Sequence, residues 1–248
     1  MSSSISQAVR ELAEPKLAEF TAKLIPTVDP ERILGVRMPA LRKLAKKLLR
    51  EHPQEVTEFK AAVPHDFQEE DLLHVLLLNE ERDFATWHAE ITDFLPYMTN
   101  WTLTDAVSPA CVKGGKAANL PQLERSCLDW MVDDRVYVQR LGAVVLMSLL
   151  GTEYFSPEHL RAVAALAGSE EYYVRVAVAW YFTEALARQE HVALPWFALA
   201  DSSGSTDSPG LPAVTLRMAI TKAIESRRIS DDLKAELRQI RSTLPRRS

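Results

Sequence analysis

The feature that most constrains this chain is an internal repeat. The segment Asp134-Arg-Val-Tyr-Val-Gln-Arg-Leu-Gly-Ala-Val144 recurs 36 residues later as Glu170-Glu-Tyr-Tyr-Val-Arg-Val-Ala-Val-Ala-Trp180. Tyr137 matches Tyr173, Val138 matches Val174, and Trp180 falls at the place of Val144. A period of this length that holds two helices is the HEAT or armadillo period. One such unit cannot bury its apolar face alone, so neighbours stack into a solenoid with a concave groove.

The rest of the chain reads as helix. Only 8 glycines occur in 248 residues, Leu and Ala dominate the apolar set, and no persuasive alternation of period two appears. Leu41, Leu44, Ala45 and Leu48 follow helical spacing and define one apolar face. Lys43, Lys46, Lys47 and Arg50 follow the same spacing opposite, after Pro39 in the first turn. That basic ridge is either an ordinary solvated face or a surface for phosphates. Further helices are expected at 3–24, 53–63, 68–80, 83–98, 101–112, 121–132, 135–150, 157–167, 171–188, 191–200, 212–228 and 230–243. Ser156-Pro157-Glu158 and Ser230-Asp231-Asp232 have the composition of helix N-termini. The apolar run from Leu141 to Gly151 carries Ser148 and reads as a buried helix. The expected fold is all-α, a right-handed superhelical solenoid of antiparallel helix pairs forming one HEAT-like domain over 1–248. Short connections join the helices, apart from a flexible loop at about 201–211, rich in Ser, Gly, Asp and Pro.

Composition narrows the function classes. Two cysteines, Cys111 and Cys127, are too few for a disulfide framework or a structural zinc site and read as reduced thiols. The six histidines are scattered without metal-ligand spacing, and His74 and His88 are expected on partly exposed helix faces. The N-terminal Met1-Ser-Ser-Ser-Ile lacks the features of a signal peptide. No apolar run reaches the roughly 18 residues of a membrane span. A cytoplasmic protein is therefore expected. There is no G-x-G-x-x-G, Walker loop, H-E-x-x-H or G-x-S-x-G. The net charge of −5 taken alone argues against nucleic acid, but the chain is electrically striped. Residues 31–50 hold Arg32, Arg37, Arg42, Lys43, Lys46, Lys47 and Arg50 against Glu31 alone. Residues 51–93 reverse the balance, with Lys60 and Arg82 the basic exceptions, and Arg238, Arg241, Arg246 and Arg247 make the far C-terminus basic.

The unusual segment is Asn100-Trp-Thr-Leu-Thr-Asp105. Trp101 and Asp105 are four residues apart, so on a helix they share a face. An aromatic plate beside a carboxylate suits a flat cation. The competing reading makes Trp101 a core residue and Asp105 a cap or a partner of Lys113. Arg140 and Trp180 are expected at the starts of successive inner helices, lining one surface beside Trp101 and Asp105. Their competing reading is a repeat-stabilising arginine and a buried tryptophan. Gly114-Gly115-Lys116 reads as a turn that brings Lys113 and Lys116 near a phosphate backbone.

Taken in order, these segments resemble the DNA alkylation repair family, the AlkD-like DNA glycosylases. The resemblance rests on Ile33-Leu-Gly-Val-Arg-Met-Pro-Ala-Leu-Arg42, on Trp101-x-x-x-Asp105, on Val138-Gln139-Arg140 and on Val174 to Trp180. It runs over roughly residues 20–240. The resemblance implies an all-α fold of HEAT-like repeats. It also implies hydrolysis of the N-glycosidic bond of N3- and N7-alkylated purines, which are cationic. By the same resemblance Asp105 is the catalytic carboxylate, Trp101 and Trp180 contact the lesion nucleotide, and Arg140 contacts the DNA near it. Arg37, Lys43, Lys46, Lys47, Lys113, Lys116 and Arg175 are the candidates for DNA-backbone contact. The implied partner is double-stranded DNA with alkylated purines. A monomer is expected because a solenoid groove must stay open, with no cofactor and no metal. The chain departs from the family pattern where Thr102 replaces a second tryptophan and Thr183 replaces a basic residue. Arg37 replaces an amide, and an N-terminal aromatic has no counterpart near Leu24 to Thr27. The alternative function is a non-catalytic HEAT-repeat scaffold that binds DNA or a protein partner.

Overall fold

Prolines and small polar caps decide where the helices of this chain begin. The structure is a computed structural model that describes residues 4–113, 117–201 and 209–245. Every regular element among the described residues is helical, and the one extended pairing is an isolated bridge between Leu199 and Leu211. Pro15, Pro53 and Pro157 open α2 (Pro15–Leu24), α4 (Pro53–Ala61) and α10 (Pro157–Ala164), where a missing N–H costs nothing. The expected helix at 3–24 is therefore two, with α1 (Ser4–Arg10) ending before Pro15. The expected helix at 191–200 shrinks to α12 (Glu190–Ala193) and a 3-10 turn, Leu194–Trp196, that contains Pro195. The expected caps at Ser156 and Ser230 accept from the backbone N–H groups of Glu158 and Leu233. Of the loop expected at 201–211, residues 202–208 lie outside the described residues, as do Lys116, Arg246 and Arg247.

The chain forms two compact units, residues 1–119 and 120–248. In the first, α5 (Gln68–Leu78) is the hub: each of its 11 residues is buried. Around it pack α1, α3 (Met38–Glu51), α4, α6 (Phe84–Phe94) and α7 (Trp101–Ala106). Its first turn places four polar residues, Gln68, Glu69, Glu70 and Asp71, inside the protein. Buried charge is costly without partners, and here backbone and side-chain donors supply them. The Glu69 carboxylate accepts from the N–H groups of Leu34 (2.9 Å), Gly35 (2.7 Å) and Val36 (3.3 Å). Glu70 accepts from Asp66 and Phe67, both at 3.1 Å, and closes the start of its own helix. Asp71 pairs with Arg32 at 3.0 Å, and Arg32 also donates to the carbonyls of His65 and Asp66.

These contacts explain the Leu34-Gly35-Val36 segment physically. Three consecutive N–H groups converge on one carboxylate, which requires a left-handed residue in the middle. Gly35 has φ +76°, and a Cβ there would sit 2.3 Å from the Ala18 nitrogen and 2.5 Å from the Glu14 oxygen. Only glycine meets both conditions.

In the second unit, α8 (Leu120–Met131) pairs with α9 (Val136–Leu146), and α10 with α11 (Tyr172–Arg188). Likewise α13 (Ala213–Glu225) pairs with α14 (Asp231–Thr243). One helix of each pair continues the stack: α9, α11 and α13 touch in succession, the order of an α-solenoid. The repeat is visible in atoms, because Tyr137 and Tyr173 meet with ring centroids 5.7 Å apart. Gly142 lets α9 approach α8, since a Cβ there would lie 2.6 Å from the Cys127 oxygen. Polar groups stitch the layers: Thr183 donates to Ala179 and Ala219, and Thr215 to Ala167. Both cysteines are buried and form no disulfide, and burial pushes the Cys127 thiol up.

The hub can be probed by two substitutions. Gly35→Ala should lower stability by about 2 kcal/mol or more, read as a reduced urea midpoint. The other concerns Asp71, whose carboxyl is pushed up by burial from 3.8 to about 7 against the opposing pull of Arg32. The folded protein then holds a proton that the unfolded chain releases at lower pH. Its stabilising contribution is full below about 4 and is lost as pH rises to about 7. Urea unfolding between those limits should show that decline in the wild type and not in Asp71→Asn; parallel curves would contradict it.

Candidate active site

The segment singled out for chemistry begins with a cap. Asn100, fully buried, accepts from the Thr102 N–H at 3.0 Å and from the Thr102 hydroxyl at 2.6 Å, which starts α7 at Trp101. The amide of Asn100 donates to Gln68 Oε1 at 2.8 Å, while Gln68 Nε2 donates to Thr102 Oγ1 at 2.9 Å. Gln68 stands at the start of the buried α5, so α7 is bolted to the hub by side-chain hydrogen bonds closed on themselves. Thr102 thus has a positional task that an indole could not perform. The helix is shorter than the expected 101–112. It stops at Ala106, and Val107 and Pro109 run extended.

On α7, Trp101 is half-buried. One side packs on the cluster of Ile25, Val28 and Ile33, and its indole N–H donates to the Leu24 carbonyl at 3.0 Å. Leu24, where no aromatic side chain stands, therefore serves the site through its backbone. Asp105 is also half-buried, and its Oδ1 accepts from the Thr104 hydroxyl at 3.1 Å. Both competing readings of Trp101 hold in part: the ring is a core member on one side and remains accessible on the other.

Asn79, immediately after α5, holds the segment that leaves α7. Its amide donates to the Ala106 carbonyl at 2.8 Å, and its Oδ1 accepts from the Ser108 N–H at 2.7 Å. The Asn79 carbonyl accepts from the Ala110 N–H at 2.7 Å. A groove of about 480 Å³ opens here. Arg42 and Lys46 of α3 line it with Asn79, Ala106, Ser108 and Lys113, and Glu80 adds one acid. Two of the basic residues expected at a DNA backbone, Lys46 and Lys113, are thereby brought to one groove beside the residue following Asp105. The others are placed differently. Lys43 is exposed, Lys47 lies 3.9 Å from Glu51, and Arg37 makes a two-pronged pair with Glu14 at 2.8 and 2.9 Å. That pairing holds the Glu14 carboxyl below its usual range. Exposed pairs of this kind are weak and exchange readily for phosphate.

In the second unit, Arg140 is 3% exposed and its Nη1 donates to the Tyr173 carbonyl at 2.8 Å, linking α9 to α11 across the repeat. Trp180 is half-buried in the middle of α11, not at the start of a helix as expected. Arg175 Nη1 donates to the Ser169 carbonyl. The residues that sequence reasoning missed are Gln68, Asn79, Asn100 and Thr102. Asn100 carried a readable signal, an amide directly before a helical segment. Gln68 and Asn79 carried none, because their partners lie 27 to 34 residues away. His74 is a correction: it is 4% exposed and not on a solvent-facing surface, because α5 is buried on all sides.

The family model of the DNA alkylation repair enzyme matches residues 5–222, most of the chain and both units. The chain belongs to the DNA alkylation repair enzyme family. No curated protein matches it. None of the described helices is long and apolar enough to cross a membrane.

If Asn100 bolts α7 to the hub, Asn100→Ala should lower stability by about 2 kcal/mol, since a cap and a buried hydrogen-bond partner go together. Amide exchange should accelerate over 101–106 more than over the rest of the unit. Uniform acceleration would show that the cap has no special hold on this helix.

Proposed function

We propose that this protein is a DNA glycosylase that hydrolyses the N-glycosidic bond of cationic N3- and N7-alkylated purines in DNA. The observation that carries the reading is the pairing of a half-exposed indole with a carboxylate, one helical turn apart on α7, in a chain of the DNA alkylation repair enzyme family. Trp101 offers its accessible face to the electron-poor lesion nucleotide by cation–π attraction. Asp105 faces charge that develops only as the bond breaks. An alkylated purine leaves readily, because cleavage returns the bond's electron pair to a ring that is already positive. The deoxyribose C1′ then acquires oxocarbenium character, which a nearby carboxylate stabilises. Water adds to C1′ and passes a proton to Asp105, which releases it to solvent. The products are a neutral free base and an abasic site.

The remaining residues are assigned to holding the DNA. Lys46 and Lys113, with Arg42 beside them, neutralise phosphates along the groove next to the end of α7. Trp180 contacts the lesion nucleotide, whereas Arg140, buried and donating to the Tyr173 carbonyl, holds α9 to α11 instead of reaching the DNA. Arg37, Lys43, Lys47, Lys116 and Arg175 add backbone contacts. The protein acts on double-stranded DNA as a cytoplasmic monomer.

The second reading, a helical scaffold that binds DNA or a protein without cleaving, draws support from one observation. The Trp101 indole N–H is already spent on the Leu24 carbonyl, as a purely structural tryptophan's would be. The two readings separate at Asp105. Asp105→Asn should reduce release of 7-methylguanine from methylated duplex at least about 100-fold, while DNA affinity in a filter-binding assay stays near wild type. Equal release by both proteins would end the glycosylase reading, and no release by either would favour the scaffold.

A further inference from the structure

The outer face of α2 has no part in the site assigned to α7, yet its composition is unusual. Phe20 is 58% exposed and Leu24 45%, and they stand one helical turn apart. The other large apolar side chains exposed among the described residues are Val132, Tyr172, Leu199 and Val214, and no two of them share a helix. Single exposed apolar residues need no explanation, whereas a paired patch does. Looseness does not account for it, although α2 contains no fully buried residue. At one end the Glu14 N–H donates to the Gly35 carbonyl at 3.0 Å, and Gly35 packs against Ala18 too closely for a Cβ. At the other end the Leu24 carbonyl accepts from the Trp101 indole. Ala18, Ala22 and Trp101 also pack on one apolar cluster.

Charge decides what such a face can receive. At about 100° per residue, the exposed Lys16 and Lys23 lie beside the Phe20–Leu24 pair and separate it from Glu19, the one acid on the exposed side of α2. An apolar pair bordered by ammonium groups matches a duplex. Phe and Leu side chains lie against sugars and base edges in a groove, while lysines neutralise phosphates. A second copy of this chain is a poor match, because a two-fold contact through this face would bring like charges together. The face also runs directly into Trp101, since Leu24 supplies both an exposed side chain and the carbonyl that holds the indole.

We propose that the outer face of α2 is a second DNA-contacting surface, continuous with Trp101. Phe20 and Leu24 lie against sugar and base edges beside the lesion, and Lys16 and Lys23 take the flanking phosphates. This rests on the reading of Trp101 as a contact to the lesion nucleotide.

The probe is a methylated duplex, bound to the full chain in a filter assay over a range of salt concentrations. Phe20→Ala should weaken binding about tenfold. The slope of log affinity against log salt should stay unchanged, because no phosphate contact is lost, and Phe20→Tyr should keep wild-type affinity. Lys16→Gln and Lys23→Gln, made together, should reduce the magnitude of that slope by about 2. All these side chains are exposed, so the urea midpoint should stay at the wild-type value in each variant. Wild-type affinity in Phe20→Ala, in a protein that binds duplex and releases 7-methylguanine, would overturn this surface and leave the α7 site standing. Failure of the wild type itself to retain duplex at low salt would overturn both. A wild-type dimer in sedimentation that Phe20→Ala converts to a monomer would give the face to a second copy of the chain and overturn the proposal.

Discussion

A buried turn of polar residues at the start of α5 holds the first unit together. Taking Gln68, Glu69, Glu70 and Asp71 out of water costs far more than leaving them exposed, so the fold must return a partner to each. Each partner belongs to a different piece of chain. Glu69 gathers the N–H groups of Leu34, Gly35 and Val36, Glu70 closes the start of its own helix, Asp71 holds Arg32, and Gln68 holds Asn100 and Thr102. Asn79, just past the other end of the same helix, holds the segment that leaves α7. The penalty for any unmet group makes these attachments specific, which apolar packing alone would not do.

This arrangement has a consequence for chemistry. A carboxylate that stabilises a developing cation works best when it is already in place, because no reorganisation is then charged to the reaction. α7 is only 6 residues long, too short to be stable alone. Its position comes from attachments at both ends, Asn100 before it and Asn79 after it. Trp101 adds a third, through Leu24 and the apolar cluster beneath the indole. The helix that bears Trp101 and Asp105 is thus fixed from outside at three points.

How much of this was legible in the sequence depends on the range of each interaction. The repeat at Tyr137 and Tyr173, the basic face of α3 and the caps at Ser156 and Ser230 are local patterns, and each has its structural counterpart. The pairing of Trp101 with Asp105 on one helix was legible for the same reason. Helix ends were less so. Pro15 and Pro195 cut helices that hydrophobic spacing alone would continue. The polar α5 hub was illegible, because Glu69 or Gln68 in a sequence looks like a solvated helix start. Nothing in its neighbourhood reveals donors 32 to 35 residues away. The burial of His74 was hidden for the same reason.

Whether α5 sets α7 for base excision can be decided by one rate. It is the single-turnover rate at which 7-methylguanine leaves methylated duplex under saturating protein, in wild type and in Gln68→Ala. Release by the wild type is expected, with a rate at least about tenfold lower in the variant and DNA binding unaltered. Equal rates in the two proteins, or bound DNA that keeps its methylated purines, would contradict the dependence of the site on the hub.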